Sequence, residues 1–138
     1  MNAKKMQLAI VGLGYAGLPL ALEFAKKRNV VAYDINSQRI KNLQIGFDKN
    51  REFSKKQIKQ IKKIQFTNNQ NDLVDCNVFI ISVPTPISKK KTPDLKILKS
   101  ASQVVGKFVK ENDIIIYEST VYPGVTEEIC VPILEKSS

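Results

Sequence analysis

Short aliphatic runs recur along the chain and predict the strands of a buried sheet. Four of them lie at Gln7–Val11, Val30–Tyr33, Asn77–Val83 and Asp113–Tyr117, and a further short strand is predicted around Phe66. The runs are continuously apolar rather than alternating. This is typical of parallel strands that are covered on both faces.

Between these runs, apolar residues recur at helical spacing. After the first run they fall at i, i+3, i+4 and i+7, which predicts a helix with one buried face. The predicted helices carry Leu18, Ala21, Leu22 and Ala25; Ile40 and Leu43 after an Asn36 cap; Ile58 and Ile61 after a capping box of Ser54 and Gln57; Leu98, Ala101, Val105 and Val109; and a last segment from Gly124 to about Leu134.

The resulting order β-α-β-α…β-α-β-α predicts an α/β fold with a Rossmann-type doubly wound parallel sheet. The predicted order ends on a helix, where a right-handed crossover would normally return to another strand. We therefore expect the strand at Asp113–Tyr117 to be an edge strand only in this fragment, with a further strand beside it in the complete fold. Residues 1–138 would then be one domain of a longer protein.

Composition restricts the function further. The net charge is +9, from 22 basic and 13 acidic residues. A nucleic-acid partner is one interpretation of this charge, but the basic residues are scattered without interleaved aromatics, which favours a solvated surface and no nucleic-acid partner.

Histidine is absent, so a His/Cys zinc site and a Ser-His-Asp mechanism are excluded within this chain, and no metal is expected. Since we find no signal peptide and no run near ~18 apolar residues, we expect a cytoplasmic protein without a membrane partner.

The motif Gly12-Leu13-Gly14-Tyr15-Ala16-Gly17 lies between the first strand and the first helix. In a dinucleotide fold the first glycine permits the tight turn, the second lets a pyrophosphate approach the backbone, and the third allows close packing. Asp34 ends the second strand at the spacing of the acidic residue that binds the adenosine ribose. Its charge would repel the additional phosphate of NADP, so NAD is the predicted cofactor.

Two further loops, Val83-Pro84-Thr85-Pro86 and Glu118–Gly124, follow predicted strands. They are expected at the carboxyl edge of the sheet, where open α/β folds bind ligands. Ordinary turn chemistry is an equally good interpretation of both.

Several linked motifs resemble the UDP-glucose/GDP-mannose dehydrogenase family, from about Gln7 to Glu135. The branch that they resemble most is bacterial and oxidises UDP-N-acetylhexosamines for polysaccharide synthesis. The motifs are G-L-G-Y-A-G-L-P-L-A (12–21), Y-D-I-N-S-Q-R-I (33–40), S-V-P-T-P (82–86), P-D-L (93–95) and Y-E-S-T-V-Y-P-G-V-T-E-E (117–128).

The resemblance implies a cofactor site for NAD, residue by residue. The pyrophosphate would lie on the Gly12–Gly17 turn, Asp34 would hold the adenosine ribose, and Arg39 would lie beside the adenine half. Val83 and Thr85 would line the cleft. The nicotinamide end would lie beside Ser119, Thr120 and Val121, where Thr120 would be an auxiliary catalytic residue that helps to position a water.

The reaction that the resemblance implies is a twofold oxidation of the C6 hydroxyl of a UDP-sugar to a carboxylate. The nucleophilic Cys, the sugar-binding domain and the dimer-forming segment of this family would lie beyond the chain. Cys76 and Cys130 are therefore expected to be buried or half-buried structural thiols, the fragment inactive alone, and the parent enzyme a homodimer. A stand-alone NAD-sensing module and a different Rossmann oxidoreductase, such as a 3-hydroxyacid dehydrogenase, are the alternatives.

Overall fold

Five short parallel strands form the sheet in the computed structural model, which describes residues 5–86, 89, 94–118 and 130–137. The strands are β1 (Leu8–Val11), β2 (Val30–Tyr33), β3 (Ile64–Thr67), β4 (Val78–Ile81) and β5 (Ile114–Tyr117). Their order, β3-β2-β1-β4-β5, confirms the predicted Rossmann-type fold. The chain winds outward from β1 to β3 and then returns to the other side of β1. The crevice above β1 and β4 is therefore the expected place for a ligand.

Helices cover both faces of this sheet. They are α1 (Gly17–Ala25), α2 (Ser37–Gln44), α3 (Lys55–Lys59), α4 (Lys96–Gly106) and α5 (Val131–Ser137), together with a short 3₁₀ helix at Gln70–Leu73. The caps predicted for α2 and α3 are confirmed: the Asn36 side chain accepts a hydrogen bond from the Arg39 amide, and Ser54 and Gln57 form a capping box. Within the described residues, no helix is long and apolar enough to cross a membrane.

Two helices are shorter than their apolar stripes predict. Ile61 lies beyond the end of α3, because the backbone must already be extended at Lys63, whose carbonyl accepts the Val30 amide at 2.9 Å. Val109 lies beyond α4, which ends at Gly106, a residue that weakens helices. The predicted start of the last helix at Gly124 lies outside the described residues, whereas the described part continues past Leu134.

The core consists of two apolar clusters, one on each face of the sheet. Leu8 and Ile10 of β1 point into the cluster formed with α1, α2 and α3, whereas Ala9 and Val11 point into the cluster formed with α4 and α5. This alternation follows from the two-residue period of a strand. Cys76 and Cys130 are both buried in the second cluster and are not joined in a disulfide, which confirms their predicted burial.

Strand β5 is the edge of the sheet in the described part of the chain, as predicted. Ile115 and Tyr117 pack on the second cluster, and the Tyr117 hydroxyl lies 2.8 Å from Ser102 Oγ of α4. On the opposite face Ile114 and Ile116 are 55% and 39% exposed. Among the described residues, the face of β5 away from α4 and α5 is therefore largely uncovered.

Candidate functional site

The glycine-rich turn after β1 has the geometry that its sequence predicts. Gly12 has a φ of +101°, and a Cβ there would lie 2.6 Å from the carbonyl oxygen of Ser82. A Cβ on Gly17 would collide with the Gly12 carbonyl oxygen. At Gly14, by contrast, no heavy atom of the described residues, apart from its two chain neighbours, lies within 4 Å of the corresponding position. The fold therefore requires the first and third glycines, and the second leaves open space for a ligand.

The N-terminus of α1 begins directly above this turn. Its N-cap residue, Ala16, makes no side-chain capping bond, and Pro19 in the first turn has no N–H to donate. The Leu18 amide donates to the Gly14 carbonyl at 3.2 Å. An α-helix that begins without a side-chain cap presents backbone donors and the positive end of its dipole. These are the elements of an anion site.

Asp34 follows β2 and lies beside the turn. Its Oδ2 accepts a hydrogen bond from the Leu13 amide at 2.8 Å, and its Oδ1 accepts one from the Asn36 amide at 2.9 Å. The side chain is half-buried and lines the cleft. Each carboxylate oxygen has a second lone pair, so Asp34 can still accept hydrogen bonds from the hydroxyls of a ligand.

Arg39 of α2 contacts the same turn from the other side. Its Nε and Nη2 donate to the Leu13 carbonyl oxygen at 2.9 and 2.7 Å, and its Nη1 donates to Asp48 Oδ1 at 2.7 Å. The resemblance placed Arg39 beside the adenine half of the cofactor. It does line the cleft, but these donors of its guanidinium bind the protein itself.

Asp48 is a residue of this network that sequence reasoning missed. Its carboxylate also accepts the backbone amides of Asn50, Glu52 and Phe53, at 3.1, 3.0 and 3.2 Å. Burial acts to raise the pKa of this carboxyl, but the hydrogen bond and charge of Arg39 and the backbone amides together hold the pKa below its ordinary value of 3.8. The only sequence signal is an Asp in a polar loop, and many turns share it.

A cavity of about 550 Å³ opens between the turn, the end of β2 and helix α4. Six of the predicted cofactor residues line it: Gly12, Leu13, Gly14, Asp34, Arg39 and Val83. Four others lie outside its wall: Tyr15, Ala16, Gly17 and Thr85. Tyr15 and Ala16 are exposed, Gly17 is buried beneath the turn and Thr85 is half-buried. Ser119, Thr120 and Val121 lie outside the described residues.

The rest of the wall combines apolar side chains with two lysines that were not predicted. Ile35, Ile97 and Val104 provide apolar surface, and Lys49 and Lys96 provide positive charge. Ile97, Ala101 and Val104 fall at i, i+4 and i+7 on α4, so a second apolar stripe was the signal that could have identified this wall. Apolar walls beside basic groups, next to a helix N-terminus, have the chemical character that a nucleotide site needs.

The family model for the NAD-binding domain of the UDP-glucose/GDP-mannose dehydrogenase family matches residues 6–138. The chain belongs to this family. It is 56% identical over 135 residues to a UDP-N-acetyl-D-glucosamine 6-dehydrogenase of Pseudomonas aeruginosa, covering 98% of the chain and 32% of that protein. It is 48% identical to a Salmonella typhi protein of the same name, covering 97% of the chain and 32% of that protein.

A solved structure of a similarly named dehydrogenase is also similar to the chain. The UDP-D-ManNAc dehydrogenase of Pyrococcus horikoshii matches with a TM-score of 0.88 and 38% identity, over 96% of the chain and 32% of that structure. The chain therefore spans about a third of the length of these relatives. Its cofactor is NAD, as predicted. Family membership also decides against the alternative of a 3-hydroxyacid dehydrogenase.

Proposed function

We propose that this chain is the cofactor domain of an NAD-dependent UDP-sugar 6-dehydrogenase that acts on a UDP-N-acetylhexosamine. The observation that carries the proposal is the high identity, over nearly the whole chain, to two proteins named UDP-N-acetyl-D-glucosamine 6-dehydrogenase. The product would be a uronic acid for surface polysaccharides. We expect the complete enzyme to be a cytoplasmic homodimer without a nucleic-acid or membrane partner.

The contacts of the cleft support a specific assignment of its residues. The Gly12–Gly17 turn and the N-terminus of α1 would bind the pyrophosphate, because Gly14 leaves space there and the N-cap residue, Ala16, makes no side-chain capping bond. Asp34 would accept hydrogen bonds from the adenosine ribose. Ile35 and Ile97 would contact the adenine, since both provide apolar surface in the wall of the cavity that Asp34 also lines.

The other end of the cofactor would lie toward the carboxyl end of β4. Val83 follows this strand and lines the cavity, and Thr85 lies two residues further along. Bound NAD would accept a hydride from the sugar carbon. Ser119, Thr120 and Val121 would lie beside the nicotinamide, with Thr120 positioning a water; these three roles remain predictions from the resemblance.

Neither cysteine of the chain has the properties of the nucleophile that this reaction requires. Burial, with smaller contributions from Asp75 and Asp113, raises the pKa of the Cys76 thiol to about 11, and Cys130 is completely buried. Neither residue lines the cavity. Since a thiolate must reach its substrate to react, we infer that the nucleophilic Cys belongs to another segment of the enzyme.

A test compares the 138-residue chain with the protein encoded by its complete reading frame. Each is incubated with NAD and either UDP-N-acetylglucosamine or UDP-glucose, and the formation of NADH is followed by absorbance. We expect no NADH above the no-sugar control from the chain alone. A longer protein should form two NADH per UDP-N-acetylglucosamine and act more slowly on UDP-glucose. Turnover by the isolated chain would contradict the proposed division of roles, and a preference for UDP-glucose would contradict the proposed substrate.

A further inference from the structure

The peptide groups of Leu13 are held from two sides. The Leu13 N–H donates to Asp34, which follows β2, and the Leu13 carbonyl accepts two hydrogen bonds from Arg39 of α2. Leu13 itself is fully buried. Since Gly14 is the next residue, these bonds determine where the open part of the turn lies relative to the cleft.

Arg39 can serve in this way only if its guanidinium is held in place. The side chains of Arg39 and Asp48 are 10% and 0% exposed, so both charges are removed from most solvent. A buried charge that loses its partner is strongly unfavourable. The Asp48 carboxylate is in turn oriented by the backbone amides of residues 50, 52 and 53. The network therefore runs from the loop at residues 48–53, through Arg39, to the turn.

We propose that Asp48 is a positioning residue for the cofactor: it orients Arg39, which holds Leu13 and so keeps the glycine-rich turn in its binding conformation. The inference rests on the proposed residue roles in the cleft and adds one outside them, because Asp48 is not expected to touch NAD. The neighbouring residues Lys49 and Asn50 line the cavity. Asp48 therefore positions the part of the cleft wall formed by Lys49 and Asn50, in addition to the glycine-rich turn.

The test uses the 138-residue chain and the substitution Asp48→Asn, which keeps the size of the side chain and removes its charge. The matched control is Asp72→Asn. Asp72 is a half-buried carboxylate, less buried than Asp48, that accepts the Thr67 hydroxyl at 2.6 Å and does not line the cavity. Both variants are first compared with the wild type by circular dichroism.

The first measurement is amide hydrogen exchange without ligand. We expect Asp48→Asn to speed exchange of the Leu13 amide about tenfold, the equivalent of ~1.4 kcal/mol. The Asn77 amide, which donates to the Gln7 carbonyl oxygen just before β4 and β1, should keep its rate. Asp72→Asn should change neither amide. Equal Leu13 exchange in the wild type and Asp48→Asn would overturn the proposal.

The second measurement is calorimetric titration with NAD. Asp48→Asn should raise the Kd about five- to tenfold, and Asp72→Asn should leave it within about twofold. The double variant Arg39→Ala/Asp48→Asn should bind NAD no more weakly than Arg39→Ala alone, because Asp48 acts through Arg39. If the losses of affinity caused by Arg39→Ala and Asp48→Asn were fully additive in the double variant, the proposal that Asp48 acts through Arg39 would be overturned.

If Asp48→Asn fails to fold, Arg39→Lys carries the same test. A lysine keeps the charge but cannot bond Leu13 and Asp48 through a planar fork, so exchange at Leu13 should rise in this variant too, and an unchanged rate would overturn the proposal. The exchange measurements need no NAD. A wild-type chain that does not bind NAD would therefore contradict the proposed cofactor roles, while Leu13 exchange would still decide whether Asp48 holds the turn.

Discussion

Removing the carboxylate of Asp34, which lines the cleft, should strongly weaken NAD binding. Each of its oxygens accepts one backbone amide, from Leu13 and Asn36, which leaves a second lone pair on each for a ribose hydroxyl. A hydrogen bond to a charged group contributes about 1.5–3 kcal/mol. Losing one such bond should raise the Kd of NAD about 10- to 150-fold.

The assay is calorimetric titration of wild type, Asp34→Ala and Asp34→Asn with NAD and NADP. Asp34→Asn keeps one oxygen for a backbone amide, so it separates the loss of charge from the loss of support for Leu13. We expect both variants to bind NAD more weakly and to discriminate less against NADP, because the repulsion of the additional phosphate is gone. A folded Asp34→Ala chain with the wild-type Kd for NAD would refute the assignment of the ribose to this residue.

Three further outcomes follow from the described contacts. Gly17→Ala should lower the free energy of unfolding by about 1–3 kcal/mol or more in a urea titration, because the added methyl group would collide with the Gly12 carbonyl oxygen. Gly14→Ala should keep the wild-type free energy of unfolding but bind NAD more weakly in calorimetry, because its methyl group would occupy the space left for the ligand. The pKa of Asp48 is lower in the folded chain than its ordinary 3.8, so its stabilising effect should be complete above pH 3.8 and be lost as the pH falls through the lower pKa of the folded chain. The free energies of unfolding of wild type and Asp48→Asn should therefore converge only in that acidic range, and a difference that does not depend on pH would contradict this. Thiol reagents should label both buried cysteines slowly in the native chain and promptly in urea, and rapid native labelling would contradict the burial of Cys76 or Cys130.

The backbone of the site could be predicted from the sequence because its signals are local. An aliphatic run, three glycines at fixed spacing and an apolar helical stripe each report on a few neighbouring residues, and the capping residues Asn36 and Ser54 report on one helix turn each. The structure confirms these features with boundaries shifted by one or a few residues. The predicted ends of α3 and α4 were wrong. Helix α3 ends before its apolar pattern does because the chain after it must pair with β2, and α4 ends early at a glycine.

The side-chain network was not predictable in the same way. The partners of Asp48 are Arg39 on the preceding helix and amides of a loop whose shape depends on Arg51, a non-glycine residue with a φ of 58°. Nothing in the local sequence favours a left-handed conformation at an arginine. For the same reason the role of Arg39 was predicted only in part. The resemblance placed Arg39 near the cofactor, but its hydrogen bonds to the Leu13 carbonyl could be found only from the tertiary structure.

The register of the sheet explains why distant segments nevertheless meet at one predictable place. Val11 of β1 is paired with Tyr33 of β2 on one side and with Ile81 of β4 on the other. Because the three strands end level with each other, the residues that follow them, the Gly12 turn, Asp34 and Ser82, must lie side by side at the same edge. The aliphatic runs of β1 and β2 therefore each end directly before a predicted site residue, Gly12 and Asp34, and the run of β4 ends two residues before Val83. Chemistry that depends on this register can be found from sequence, whereas chemistry added by the loop around Asp48 cannot.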